Sequence, residues 1–106
     1  MARLNPNRGQ EMGKTRPVIV LQAERLTQAG LPTVVCVPLS TQLRADAEPL
    51  RVHITARDHL LQDSYACIEQ VRALDRQRLG EGLLTNLTSD EMASMERAVQ
   101  GVLGLL

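Results

Sequence analysis

The run Thr33-Val34-Val35-Cys36-Val37-Pro38-Leu39 constrains the fold of this chain more than any other stretch. Its apolar residues fall on both faces of an extended chain, so residues 33–39 read as a central strand covered on two sides. Residues 16–22 read as another strand: Pro17 holds Arg16 out of the helical region, and Val18, Ile19, Val20 and Leu21 follow as a β-branched, apolar run. "LRVHIT", 50–55, alternates with period 2 and suits a strand with one wet face, and "YACIEQVRAL", 65–74, reads as a fourth strand. Between them, Gln22 to Gly30 suggests a short helical or irregular excursion. Residues 40–49 suggest a polar loop, and "ARDHLLQDS" a single helical turn.

Only the end of the chain carries a full helical signature. Thr88-Ser89-Asp90-Glu91 fits a capping box, and Met92, Met95, Val99, Val102 and Leu103 recur at helical spacing as one apolar stripe. A helix packed on its own sheet accounts for that stripe more simply than a membrane or cofactor does. Short strands followed by one amphipathic helix, in 106 residues, imply one α+β domain. The expected form is a small, mostly antiparallel β-barrel or half-barrel closed by the helix.

The bulk chemistry excludes little. Lys and Arg number 12 against 12 Asp and Glu, so net charge neither implies nor forbids a nucleic acid partner. Tyr65 is the sole aromatic residue, which denies one chain a platform of several stacked rings. Cys36 and Cys67 stand singly in apolar runs and read as buried small hydrophobes in a reducing compartment. The first twenty residues hold no apolar core of a signal peptide and no stretch reaches membrane-span length, so a cytoplasmic protein with no membrane partner is expected. His53 and His59 lack zinc-ligand spacing and read as surface or satisfied histidines. Arg3, Arg8, Arg44, Arg51 and Arg57 read mostly as solvated surface.

"GQEMGKTRP", residues 9–17, imitates a phosphate-binding loop. Only three residues separate Gly9 from Gly13, however, and a strand rather than a helix follows. No apolar strand precedes Gly9 either. A nucleotide-binding role is therefore set aside.

Three segments together resemble one family, the MazF/PemK/Kid endoribonuclease toxins of bacterial toxin–antitoxin pairs. They are "NPNRGQEMGKTRPVIVLQ", "VVCVPLSTQ" and "IEQVRALDRQRLG", in the family's order and spacing, with the ending "VLGLL" in agreement. The resemblance runs from about Leu4 to the end. It implies an SH3-like/CcdB-like barrel spanning 1–106, its N-terminal edge strand shortened, because family members begin several residues earlier. It also implies a catalytic loop at 9–17 with Arg16 as the active-site arginine, Ser40 in place of the family's usual threonine, and a groove to which Gln70 and Arg72 contribute. The implied activity is sequence-selective cutting of single-stranded mRNA, with no metal or other cofactor, by a homodimer silenced by a cognate antitoxin.

The residue chemistry fits independently. Cutting RNA without a metal requires the neighbouring 2′-hydroxyl to attack phosphorus while the site removes a proton, stabilises the phosphorane and helps the 5′-oxygen leave. Arg16 offers a rigid donor fork suited to charge stabilisation and positioning. Glu11, the carboxylate nearest it in sequence, is the candidate for base or for orienting the arginine. Another carboxylate or water remains open for the base. Ser40 is placed to hydrogen-bond the scissile phosphate, and Thr41 can share that role. Lys14 and Arg8 flank the loop and suit neighbouring phosphates. Gln42 suits a base edge or a plain loop position, and Arg72 either substrate or a turn-shaping ion pair with Asp75. Two rival functions stand beside this one: a CcdB-type gyrase-inhibiting toxin acting by protein–protein binding, and an inactive relative that only sequesters antitoxin. The chain's lack of Trp and its ending "VLGLL" count against the first.

Overall fold

The computed structural model describes residues 3–8, 15–42, 51–80 and 83–105. Among the described residues, seven strands and two α-helices follow in the order β1 (Arg3–Arg8), β2 (Thr15–Val20), α1 (Glu24–Gln28), β3 (Thr33–Ser40), β4 (Arg51–Ile54), β5 (Ser64–Cys67), β6 (Arg72–Asp75), β7 (Thr85–Asn86) and α2 (Ser89–Val102). The described strand pairs are all antiparallel and run β4-β5-β3-β2-β1-β7, with β6 also on β3. This is the expected antiparallel sheet with a C-terminal helix. Among the described residues its path stays open, with β4 at one end and β7 at the other.

β3 takes the central place that its composition demands. Val37 and Leu39 face a core shared with Ile19, Val52, Ile54, Ala66, Ile68 and Met95, while Cys36 on the opposite face packs with Val18, Leu74 and Leu79. Side chains alternate across a strand, so an all-apolar sequence requires a cover on each side. Helix α2 covers the first face through the fully buried Met95, with Met92, Val99 and Val102 partly buried beside it. Leu103, expected in the same stripe, is exposed because α2 ends at Val102.

Four local expectations are corrected. Residues 65–74 are two strands divided by a 3₁₀ turn at Ile68–Gln70. Register explains the break: β3 pairs Leu39 with Ala66 but Cys36 with Arg72, so 39 − 36 = 3 residues on β3 face 72 − 66 = 6 on the other side. The turn absorbs the excess, and because its Ile68 stays buried the apolar pattern shows no gap. "ARDHLLQDS" forms a tight turn in place of a helical one, closed by an Arg57–Leu60 bridge with Asp58 at φ 52°; aspartate tolerates that left-handed geometry better than most residues. The strand before Gly9 is β1, polar as the sequence reads but placed differently from the expected edge strand. It pairs with both β2 and β7 and is therefore not an edge strand.

The fourth correction concerns Arg57, expected in solvent. Its guanidinium donates to Thr55 O (2.8 Å), Asn86 O (2.6 Å), Glu91 Oε2 (3.0 Å) and Glu91 Oε1 (2.6 Å). Glu91 also completes the expected capping box: Thr88 N–H donates to Glu91 Oε1 at 2.9 Å, and Glu91 N–H to the Thr88 hydroxyl at 3.1 Å. One carboxylate thus caps α2 and clasps it to the segment after β4. Burial pushes the Glu91 carboxyl up, but the hydrogen bonds from Arg57 and from the Thr88 and Thr55 amides outweigh it and leave the group below its ordinary value. A depressed carboxylate contributes stability that is present above the unfolded value of about 4.3 and lost as pH falls through the folded value. Unfolding free energy should therefore decline below about pH 4, and Glu91→Gln should flatten that decline. Urea midpoints measured across the acid range check this.

Candidate active site

The described site residues sit on neighbouring strands. β2 and β3 pair Val18 with Pro38, where their described ladder ends; Arg16 lies two residues before Val18 on β2, and Ser40 two residues after Pro38 at the end of β3. Ser40 lies opposite Tyr65 on β5, and Tyr65 opposite His53 on β4. Directly opposed residues share a face. Ser40, Tyr65 and His53 therefore form a row across three strands, on the face opposite Val37 and Leu39, and Arg16 stands on β2, the strand beside Ser40's own.

Arg16 is exposed, and among the described residues no hydrogen bond or ion pair engages its guanidinium. The Ser40 Oγ accepts the Gln42 N–H at 3.1 Å, which fixes the start of the following loop and leaves the hydroxyl proton to donate elsewhere. Thr41 and Gln42 are exposed beside it. Arg72 is exposed on β6 opposite Cys36, on the same face and four residues along β3 from Ser40, about 13 Å away at strand spacing. Gln70 is exposed at the end of the 3₁₀ turn that leads to it. Glu11 and Lys14, and most of the loop after Gln42, lie outside the described residues.

The neighbouring groups are occupied structurally. Asp75 accepts the Gln77 N–H at 2.8 Å and caps the short turn after β6, in place of an ion pair with Arg72. Glu69 pairs at 2.7 Å with Arg51, whose side chain is only 6% exposed; the surface expectation for Arg51 is corrected accordingly. Arg51 also donates to the Cys67 sulfur. Both cysteines are buried and free. Burial pushes the Cys36 thiol up against the lowering influence of Arg72 and Arg78, and does the same for Cys67 against Arg51. Both thiols are therefore protonated near neutral pH and poor nucleophiles.

A cavity of about 850 Å³ adjoins the His53 end of that row, between β4 and α2, lined by Arg51, His53, Asp90, Ser94 and Arg97 among others. None of Arg16, Ser40 and Arg72 reaches it. Arg16, Thr41, Gln42 and Arg72 are exposed, which leaves them accessible to a polymer. The row from Tyr65 to His53 had no counterpart in the sequence reading, since twelve residues separate the two in the chain and only the β4–β5 register joins them.

Comparison with known proteins agrees with this architecture. A family model described as "PemK-like, MazF-like toxin of type II toxin-antitoxin system" matches residues 1–103. Among solved structures, the chain is similar to the Mycobacterium tuberculosis toxin MazF-mt6, with a TM-score of 0.79 at 21% identity over 98% of each chain. An endoribonuclease in complex with its cognate antitoxin, from a mycobacterial species, superposes with a TM-score of 0.78 at 22% identity, covering 98% of this chain and 93% of that one. MazE–MazF from Deinococcus radiodurans gives 0.79 at 19% identity, again covering 98% and 93%. At these identities the structures speak for the fold. No helix among the described residues is long and apolar enough to cross a membrane.

Proposed function

Because the chain belongs to the PemK-like, MazF-like toxin family of type II toxin–antitoxin systems, we propose that it is an endoribonuclease that cuts single-stranded mRNA without a metal. The observation that carries this reading is the exposed Arg16 guanidinium, without a partner among the described residues, on the strand next to the one that ends at the Ser40 hydroxyl. A donor fork near a hydroxyl suits a phosphodiester.

In the proposed reaction a ribose 2′-hydroxyl gives up its proton to a base and its oxygen bonds to the adjacent phosphorus. The bond from phosphorus to the 5′-oxygen then breaks, and that oxygen takes a proton. The products are a 2′,3′-cyclic phosphate and a 5′-hydroxyl. Arg16 neutralises charge growing on the non-bridging oxygens, and Ser40 donates to one of them. Glu11 is the candidate base or the group that orients Arg16. Lys14, Thr41, Gln42, Gln70 and Arg72 hold flanking nucleotides, the two glutamines being suited to base edges. Family membership, and a similar fold solved in complex with its cognate antitoxin, support inhibition by a cognate antitoxin. We also take the protein as a homodimer and the antitoxin's acidic, extended segment as occupying this face. The gyrase-inhibiting reading gives Arg16, Ser40 and Arg72 no work.

Incubating the purified protein with a long RNA in EDTA and mapping new 5′ ends tests the proposal. Discrete cuts bearing 5′-hydroxyls are expected. Ser40→Ala should slow cutting by about 10², the usual cost of one transition-state donor, whereas Ser40→Thr should retain most of the rate. Intact RNA together with gyrase inhibition would transfer the assignment to the rival class.

A further inference from the structure

We propose that Tyr65 and His53 form a stacking ledge for an unpaired RNA base beside the scissile phosphate. The inference rests on the nuclease reading and adds to it a binding site of a different chemical kind. The two rings lie on adjacent strands with centroids 5.3 Å apart and planes inclined by 31°. His53 is exposed and Tyr65 partly so, leaving π-surface open to solvent. Through Tyr65 the pair is continuous with Ser40, at the end of the strand that neighbours β2 and its Arg16. Two strand spacings of about 4.8 Å put His53 roughly 10 Å from Ser40. One end of the row therefore presents a hydroxyl, with a cation on the next strand, and the other presents rings. A polynucleotide alternates anionic phosphates with flat bases and meets both requirements at once.

The ledge is held in place before any ligand arrives. His53 Nε2 lies 3.1 Å from Asp63 Oδ2, and Asp63 Oδ1 accepts the Ala56 N–H at 2.7 Å. The imidazole is thus fixed from its outer edge while its face remains against Tyr65. A histidine–tyrosine pair also substitutes for the run of aromatic side chains that this composition lacks, and stacking of this kind tolerates any base. The plain alternative is a cross-strand pair that only steadies the β4–β5 hairpin.

Two strands of mixed sequence separate these readings. One is a single-stranded 2′-O-methyl RNA, which has no attacking hydroxyl. The other is the matched strand with abasic riboses, which keeps the phosphates and removes the bases. Tyr65→Leu is expected to weaken binding of the first about tenfold and to leave the second unchanged. His53→Ala, at an exposed position, should act in the same direction, and Tyr65→Phe should bind like the wild type. Equal losses on both strands, or no loss on the base-bearing one, overturn the ledge. Displacement of the RNA only by an acidic peptide, with no base dependence, also overturns it. Cleavage of unmodified RNA by the wild-type protein is read in parallel. Cutting without base-dependent binding leaves the nuclease reading standing alone, and base-dependent binding without cutting leaves only the ledge.

Discussion

Arg16→Ala is expected to reduce the single-turnover rate of RNA cleavage by about 10²–10³, with no change in unfolding midpoint. The two halves of that expectation have separate causes. The guanidinium is exposed and engages no described group, so removing it breaks no contact that holds the fold. Its strand position is fixed independently by the β1–β2 register, in which it pairs with Asn7 and which the mutation leaves intact. What is lost is a donor fork at the place where phosphorane charge develops, an interaction that strengthens as the reaction proceeds and therefore appears in the rate. Arg16→Lys restores charge without the planar fork and should fall between the two. A rate within a few-fold of wild type for Arg16→Ala would remove this residue from the chemistry.

Arg57→Ala is expected to cost about 2–4 kcal/mol of unfolding free energy. An exposed ion pair gives about 0–1 kcal/mol, so the size of the loss distinguishes a clasp from surface decoration. Burial decides the matter: the Arg57 side chain is 25% exposed and its Glu91 partner 11%. The hydrogen bond to Glu91 also holds the Arg57 guanidinium above its ordinary range. Deleting Arg57 leaves the Glu91 carboxylate without its counter-charge and leaves Thr55 O and Asn86 O without this donor. Because a domain of this size has only about 5–15 kcal/mol in hand, the loss would be visible in urea titrations. Arg57→Lys, which cannot reach all four acceptors, should recover part of it. A double-mutant cycle with Glu91→Gln isolates the pairwise energy. Arg57 belongs to no row containing Arg16 or Ser40, so the cleavage rate of the folded protein should be unaffected.

These two arginines also mark how far the sequence could be read. Arg16 was legible because its neighbourhood is local: Pro17 fixes the chain before a β-branched run, and the surrounding motif spacing matches one toxin family. Arg57 was not, since its partner lies 34 positions away and no periodicity connects them. Arg51 was misread for the same reason, its partners Cys67 and Glu69 standing at the end of β5 and in the turn after it. The division of 65–74 also escaped, because Ile68 remains apolar and buried through the turn that breaks the strand.

The sequence alone determined the elements that rest on nearest neighbours. These are the two-faced central strand, the strand after Pro17, and a C-terminal helix whose start is set by Thr88 and Glu91. It also named the residues suited to phosphate chemistry. Tertiary structure decided which of them meet. Strand register sets Ser40 opposite Tyr65, draws His53 against Tyr65, and hands Asp75 to a turn while Arg72 stays exposed on β6. The physical reason is that a strand's period fixes which face a side chain takes, whereas its neighbour across the ladder depends on how the whole core settles.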